Sequence, residues 1–466
     1  MANQLCGKNY SKNKIKFILY IFFYWFLLVL LGFYFANNTL YLDKVGGVSL
    51  TLFISIISAF GLESVFLFIK KNKNDVFINK SLFFLFLLVL YISLRIVIDK
   101  SDFDYLRSFW FSTTLGCLLF YILGVLIAYV TAEINILCRK IKCLNKYNYY
   151  FGFLYIISNF FLNLYVFFKL LPRKRSAFFL IDAFGFYQRP SNFIIINTFL
   201  IAYCYFSIQS NNKKNYLLDF FYFSYFIITI LLVQFIGSNN GFLGVFGIMF
   251  FSIVYKLYLL KKEQKHFVKS NNSILINESI SSFFKNLGLN SVYLLVIIVM
   301  LFVAFRNYMP PVRILHYNLN EEYNPMDERL KTLKYYFIPQ FSVNPIMGNM
   351  EADSLISGKG TYVHSFVLSM LTHIGIIGTS LFFLYFFYAC FEFYNSLFFI
   401  RDYEYFSLKL FVFLLTIFIF FMANIASFFS WNPIWFALGF CFFAIYHRRN
   451  NNEYKSIEVD CAKLKS

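Results

Sequence analysis

The chain has 466 residues, of which 59% are hydrophobic and only 14% charged. Soluble domains carry about 25% charged residues, so a soluble enzyme is excluded and lipid is the expected solvent for most of the chain. The net charge of +19 does not point to nucleic acid, because Lys and Arg fall in short clusters between apolar runs rather than along one stripe, and no nucleic-acid partner is expected.

The apolar runs Phe17 to Phe35, Val48 to Ile69 and Ser81 to Ile98 approach or exceed the roughly 18 to 20 residues with which a helix crosses the hydrocarbon. A strand-built barrel would alternate every second residue, and the run from Phe84 to Leu90 does not. The first run is too long, and too poorly followed by small residues, for a cleavable signal peptide and reads as a retained span. The expected fold is therefore an all-α integral membrane protein. About twelve spans are anticipated, beginning near Phe17, Val48, Ser81, Ser108, Tyr149, Phe193, Tyr216, Phe242, Leu289, Ile376, Phe406 and Pro433.

Basic residues mark the cytoplasmic ends. Lys8, Lys12, Lys14 and Lys16 precede the first span, Lys70, Lys71, Lys73 and Lys80 follow the second, and Arg139, Lys140, Lys142 and Lys146 follow the fourth. Lys213, Lys214, Lys261, Lys262, Lys265, Lys269, Arg448 and Arg449 continue the alternation, which places both termini in the cytoplasm. Cys6, Cys138, Cys143 and Cys461 lie in Lys-rich segments and Cys117, Cys204, Cys390 and Cys441 in apolar runs, so no disulfide framework is implied. Trp110, Trp431 and Trp435 fall at expected outer interfaces, where amphipathic rings prefer to lie. The remaining aromatic excess reads as compositional bias.

This reading divides the chain into N-terminal spans (1–170), a basic external loop (171–192), central spans (193–305), a long external loop (306–375), C-terminal spans (376–447) and a cytoplasmic tail (448–466). The long loop contains Asn344-Pro345-Ile346-Met347-Gly348-Asn349. Loops longer than about 15 residues are usually functional or disordered, and one anchored at both ends by membrane helices reads as functional.

Two features carry candidate chemistry. Arg173, Lys174 and Arg175, followed by Arg189, put positive charge on the side where topology disfavours it. Arginine's planar fork suits phosphate, so the cluster reads either as a site for a lipid diphosphate headgroup or as an interfacial anchor for anionic lipid. The second feature is the run from His364 to Gly375. At about 100° per residue, His364, Ser365, Ser369, Thr372 and His373 share one half turn and Phe366, Val367, Met370, Leu371 and Ile374 the other. Such a helix is expected to lie along the external membrane surface, turning at Gly375 and Gly378 into the next span and holding His364 at the water boundary. His373 points away from His364, and His316 has no supporting pattern. No metal-ligand spacing is present, and no metal or cofactor is expected.

The order of four elements resembles the O-antigen polymerase (Wzy-type) and O-antigen ligase superfamily. These are an external Gly185 to Asn192 element, a small polar turn Gly237-Ser238-Asn239-Asn240-Gly241, the Asn-Pro-x-x-Gly loop ending at Gly348, and His-x10-Gly-x-x-Gly from His364 to Gly378. The chain departs from the family's habit at Ser365, where Asn is common, at His373, where Glu is common, and at Asn239 and Asn240, where an Arg is common.

The resemblance implies a polymerase joining undecaprenyl-diphosphate-linked oligosaccharide repeats at the periplasmic face of the bacterial inner membrane. His364, Arg175 and Arg189 would be catalytic, and Arg173, Lys174, Arg313, Gly185, Asn192 and Gly348 substrate-binding. Lipid-linked saccharide, membrane lipid and a chain-length regulator protein are the partners it implies. Two alternatives stay open: a ligase that transfers finished polysaccharide to lipid A core, and a flippase or other transporter. The transporter explains Glu63 in the second span, but its unusual polar residues should lie near the membrane midplane, whereas here they gather outside. Arg95, near the outer end of the third span, reads as snorkelling.

Overall fold

The computed structural model describes residues 15, 18–22, 76–98, 104–140, 144–170, 188–209, 216–236, 238–268, 330–350, 365–398, 403–426 and 431–441. These residues are helical almost throughout. In chain order the helices are α1 (Val76–Ile98), α2 (Asp104–Lys140), α3 (Leu144–Leu170), α4 (Gln188–Gln209), α5 (Tyr216–Ile236), α6 (Asn239–Val268), α7 (Ile338–Val343), α8 (Phe366–Phe398) and α9 (Tyr403–Ala426). A π-helical turn (Leu333–Phe337) leads into α7, and residues 432–441 form α10.

Eight helices among the described residues are long and apolar enough to cross a membrane. They coincide with the anticipated third to eighth, tenth and eleventh spans, and the chain is an all-α membrane protein. Residues 18–22 of the anticipated first span are helical. The second and ninth spans, Glu63 within the second, and both termini lie outside the described residues.

The chain divides into two compact units. The first, residues 1–27, 44–144 and 321–466, contains α1, α2 and α7 to α10. Its principal contact runs along α1 and α8, where Leu85, Leu88 and Ile92 are buried and Phe84 stacks on Tyr388 at 5.5 Å. Phe86 and Leu94 of α1 and Phe387 of α8 remain exposed, as lipid-facing side chains do.

Helices α2 and α10 approach backbone to backbone. A Cβ at Gly124 would strike the Phe436 carbonyl, and one at Gly439 the Tyr121 carbonyl. Reciprocal glycines of this kind let helices pack closely where no hydrophobic effect drives them together. Phe366, Phe382, Phe420 and Trp435 form an aromatic cluster nearby. Trp431 and Trp435 are each only 5% exposed. Both are packing residues of this unit, not the rim anchors that their place in the sequence suggested.

The second unit, residues 28–43 and 145–320, is organised around α4, whose stretch Ser191–Ile208 is 94% buried. Polar groups tie its neighbours to it and to one another. Tyr155 Oη donates to Asn197 Oδ1 at 2.6 Å, and Asn197 Nδ2 donates to Asn159 Oδ1 at 2.7 Å. Asn163 Nδ2 donates to Thr229 Oγ1 at 2.8 Å, while Thr198 Oγ1 lies 3.1 Å from Tyr225 Oη. At the other end of α4 the Lys256 ammonium pairs with Asp219 at 2.8 Å and donates to Tyr205 Oη at 2.7 Å. Tyr205 in turn donates to Asp219 at 2.5 Å and stacks on Tyr222 at 3.7 Å.

This buried seam revises the expectation that unusual polar residues gather outside the spans. Asn159, Asn163 and Asn197 lie inside them and hold helices together by interhelical hydrogen bonds. Removing one member of the ion pair tests how much the second unit depends on it. Asp219→Asn removes the carboxylate charge that meets the buried Lys256 ammonium and is expected to cost about 3 kcal/mol, whereas Asp219→Leu with Lys256→Met recovers most of that loss. Thermal unfolding of the solubilised protein measures both.

Candidate functional site

The interruption in α8 organises the described part of the candidate site. Gly375 has φ 65° and ψ −169°, a combination that essentially only glycine adopts. A break inside a membrane helix frees backbone groups that lipid cannot satisfy. Here the Asn-Pro-x-x-Gly loop satisfies them. The Ile376 amide donates to the Pro345 carbonyl at 2.9 Å and the Ile377 amide to that of Ile346 at 3.1 Å. In return the Asn349 amide donates to the Thr372 carbonyl at 2.7 Å.

The loop is shaped for this seat. Asn344 accepts from the Met347 amide through Oδ1 at 3.1 Å and from the Gly348 amide through its carbonyl at 2.8 Å, the turn chemistry for which Asn is suited. Gly348 has φ 78°. A Cβ on Gly348 would meet the Gly375 and His373 backbone, and one on Gly375 would meet the backbone of Ile346, Met347 and Gly348. Two glycines distant in the chain therefore stand face to face, and neither tolerates a side chain.

Helix α1 clamps the junction from the side. Arg95 donates through Nη1 to the Met347 carbonyl at 2.8 Å and through Nη2 to that of Gly348 at 3.1 Å. The Tyr91 hydroxyl lies 2.9 Å from the Met347 carbonyl and 3.1 Å from that of Ile374, sharing its one hydrogen between them. Arg95 is 5% exposed, so the snorkelling role is corrected. Its guanidinium turns inward because two adjacent carbonyls match its forked donors. Sequence conveys depth along a helix but not which side of it a partner will occupy.

The segment preceding the break also differs from expectation. Phe366, Ser369, Met370, Thr372, His373 and Ile374 are all at most 1% exposed, so Phe366 to Ile374 is a packed helix and not one resting on the membrane surface. Its polar side is buried with the rest of it. Thr372 Oγ1 donates to the Leu368 carbonyl and His373 Nδ1 lies 2.8 Å from the Ser369 carbonyl, each bonding back one turn. Ser365 caps the helix, its Oγ lying 3.4 Å from the Leu368 amide. Asn424 of α9 accepts from the Val367 amide at 3.0 Å. Leu371 before the break and Ile376, Phe383, Leu384 and Phe387 after it, with Thr379 and Ser380, line an open, largely apolar groove.

In the second unit, Asn192 is buried in the first turns of α4 and Arg189 lies within the helix's start. Ser238 caps α6, its Oγ accepting from the Gly241 amide at 3.1 Å. A Cβ on Gly241 would come within 2.9 Å of Ser191 Cβ. The small polar turn thus sits against the end of the Gly185 to Asn192 element. His364, Arg173, Lys174, Arg175, Gly185 and Arg313 lie outside the described residues. No group of three or more His, Cys, Asp or Glu residues that could hold a metal occurs among the described residues.

Substituting the facing glycines tests the junction. Gly348→Ala and Gly375→Ala are each expected to cost roughly 2 kcal/mol or more, from left-handed strain and the backbone clash together. Gly116→Ala, where a Cβ meets nothing within 4 Å, serves as the control and is expected to unfold no earlier than wild type. Arg95→Met is expected to cost about 2 kcal/mol by removing the donors to the Met347 and Gly348 carbonyls, and Arg95→Lys is expected to recover little of it, since an ammonium lacks the fork. Compared with family models, curated proteins and solved structures, the chain matches none.

Proposed function

We propose that this protein is an O-antigen polymerase, joining undecaprenyl-diphosphate-linked oligosaccharide repeats at the periplasmic face of the inner membrane. The observation that carries the reading is the seat of the Asn344 to Gly348 loop on Gly375. Two of the elements on which the resemblance rests meet there, and the other two meet where Gly241 packs against Ser191. An order of motifs arising by chance in an Asn-rich membrane protein has no reason to pair in space.

In the reaction a sugar hydroxyl of one lipid-linked repeat attacks the anomeric carbon of the growing chain. The new glycosidic C–O bond forms as the bond to the diphosphate oxygen breaks, and undecaprenyl diphosphate departs with the electron pair. His364 takes the proton from the attacking hydroxyl. Arg175 and Arg189, with Arg173, Lys174 and Arg313 around the headgroup, meet the charge that develops on the departing phosphate. The apolar groove along α8 suits an isoprenoid tail. This topology has about twelve spans, both termini in the cytoplasm, and the long loop from about Arg306 to Val363 in the periplasm, where it excludes water as a competing acceptor. A chain-length regulator protein is the expected partner.

A lipid-linked oligosaccharide transporter is the second reading, favoured by the buried seam of Asn159, Asn163 and Asn197. That seam is uncharged and almost fully hydrogen-bonded, which suits helix association better than ion coupling.

Deletion of the gene and restoration with wild type or His364→Ala, read on a lipopolysaccharide gel, separates these readings. A polymerase leaves core capped by a single repeat. A ligase leaves uncapped core with polymer stranded on the carrier, and a transporter leaves unpolymerised carrier-linked repeats on the cytoplasmic side. His364→Ala is expected to reproduce the deletion, and a normal ladder from that variant rules out the catalytic role of His364.

A further inference from the structure

Helix α7 buries an amide that the fold does not use. Gln340 is 1% exposed, and among the described residues neither its Oε1 nor its Nε2 has a hydrogen-bond partner. A buried carboxamide offers one acceptor and two donor hydrogens. Leaving both ends unmade forfeits the hydration of each group with nothing in return, and folded proteins leave few such groups without a reason. An apolar residue would fill the same space at no such cost. The amide is retained at the expense of stability, which is the pattern of a group kept for a ligand.

The surroundings narrow the ligand's chemistry. The turn before Gln340 is π-helical, a rare geometry that concentrates at functional sites. It carries Tyr335, Tyr336 and Phe337, and Phe337 stacks on Phe341 at 5.4 Å and 13°. Tyr335 is 58% exposed, whereas Tyr336 and Phe337, four and three residues before Gln340, are only partly so. Aromatic faces beside a single donor-and-acceptor amide fit a pyranose ring, whose C–H faces are apolar and whose neighbouring hydroxyls each donate and accept. The cations of the same segment, Lys331 and Lys334, are exposed, and the buried amide is itself neutral, so it suits a hydroxyl or an N-acetyl carbonyl better than a phosphate. Helix α7 packs on α8 and is followed directly by Asn344, so the amide is fixed relative to the helix that begins beside His364.

We propose that Gln340 is a saccharide-recognition residue, its carboxamide binding a vicinal pair of sugar hydroxyls, or a hydroxyl and an N-acetyl carbonyl, on the lipid-linked repeat. This rests on the polymerase reading and adds to it the group that distinguishes one repeat from another. A site built to hydrogen-bond a hydroxyl rejects sugars that lack it far more strongly than an apolar pocket does.

The test uses the full-length protein in detergent with Gln340→Met and, as a second apolar replacement, Gln340→Leu. The probe is the undecaprenyl-diphosphate-linked repeat extracted from the deletion strain, and the readout is its effect on the unfolding temperature. Without probe, both variants are expected to unfold at or above the wild-type temperature. With probe, wild type is expected to be stabilised, and the concentration giving half that shift is expected to rise at least tenfold in both variants. An undiminished shift in the variants overturns the proposal, as does a variant that unfolds earlier than wild type without probe, because the amide then has a partner inside the protein. The lipopolysaccharide gel of the deletion strain decides the polymerase reading separately, since recognition of the repeat by Gln340 is read from the unfolding temperature alone.

Discussion

A membrane helix that breaks within its span must find new partners for the backbone groups it frees, and in this protein a loop from the same chain supplies them. The seat of Asn344 to Asn349 on the Gly375 break is the constraint from which the first unit follows. It dictates glycine at two distant positions and an inward-facing arginine on α1. It also explains why the residues before the break are packed and not solvated. Lipid offers no hydrogen bonds, so each of these groups has either its partner or a cost of several kcal/mol.

The second unit meets the same requirement differently. Its described helices are unbroken through their spans, so the backbone is satisfied internally and association is left to side chains. Carboxamides and hydroxyls on α3, α4 and α5 bond across the helix interfaces, and glycines let α6 approach α4. The Lys256, Asp219 and Tyr205 cluster closes one end. Lys256 also lies 5.3 Å from the Phe223 ring centre, so the cation is met by aromatic faces as well as by its carboxylate.

Much of this was legible in the sequence because hydrocarbon imposes length and composition on whatever crosses it. The spans at Ser81, Tyr149, Tyr216 and Phe406 announce themselves by apolar length, and α1, α3, α5 and α9 lie there. The elements around Gly348 and Gly375 were also visible, as two motifs in a fixed order. Their contact was not, since spacing along a chain carries no information about which turn will seat on which break. Arg95, Trp431 and Trp435 were misplaced for a related reason. Each lies at a depth where it could face lipid headgroups, and only packing reveals that it turns inward. The residues Phe366 to Ile374 have a two-faced pattern that suits a water boundary, yet bonds back to Leu368 and Ser369 let the polar face be covered. Asn159, Asn163 and Asn197 were hidden by an Asn-rich composition, although an amide inside an apolar run is costly enough to have signalled a partner. Gln340 left no signal at all, because an unpaired amide is a property of surroundings and not of pattern.

Arg95 has one further consequence, for biosynthesis. The ribosome delivers α1 to the membrane long before it delivers Met347, Gly348 and Ile374, which receive the donors of Arg95 and Tyr91. Most of the second unit is translated in between as one contiguous stretch, residues 145–320, and its internal contacts become available first. Through that interval the guanidinium of Arg95 has neither of those carbonyls to donate to. Completing the first unit therefore waits for the last third of the chain, and the donors of α1 are matched only when the loop and the broken helix have both been made.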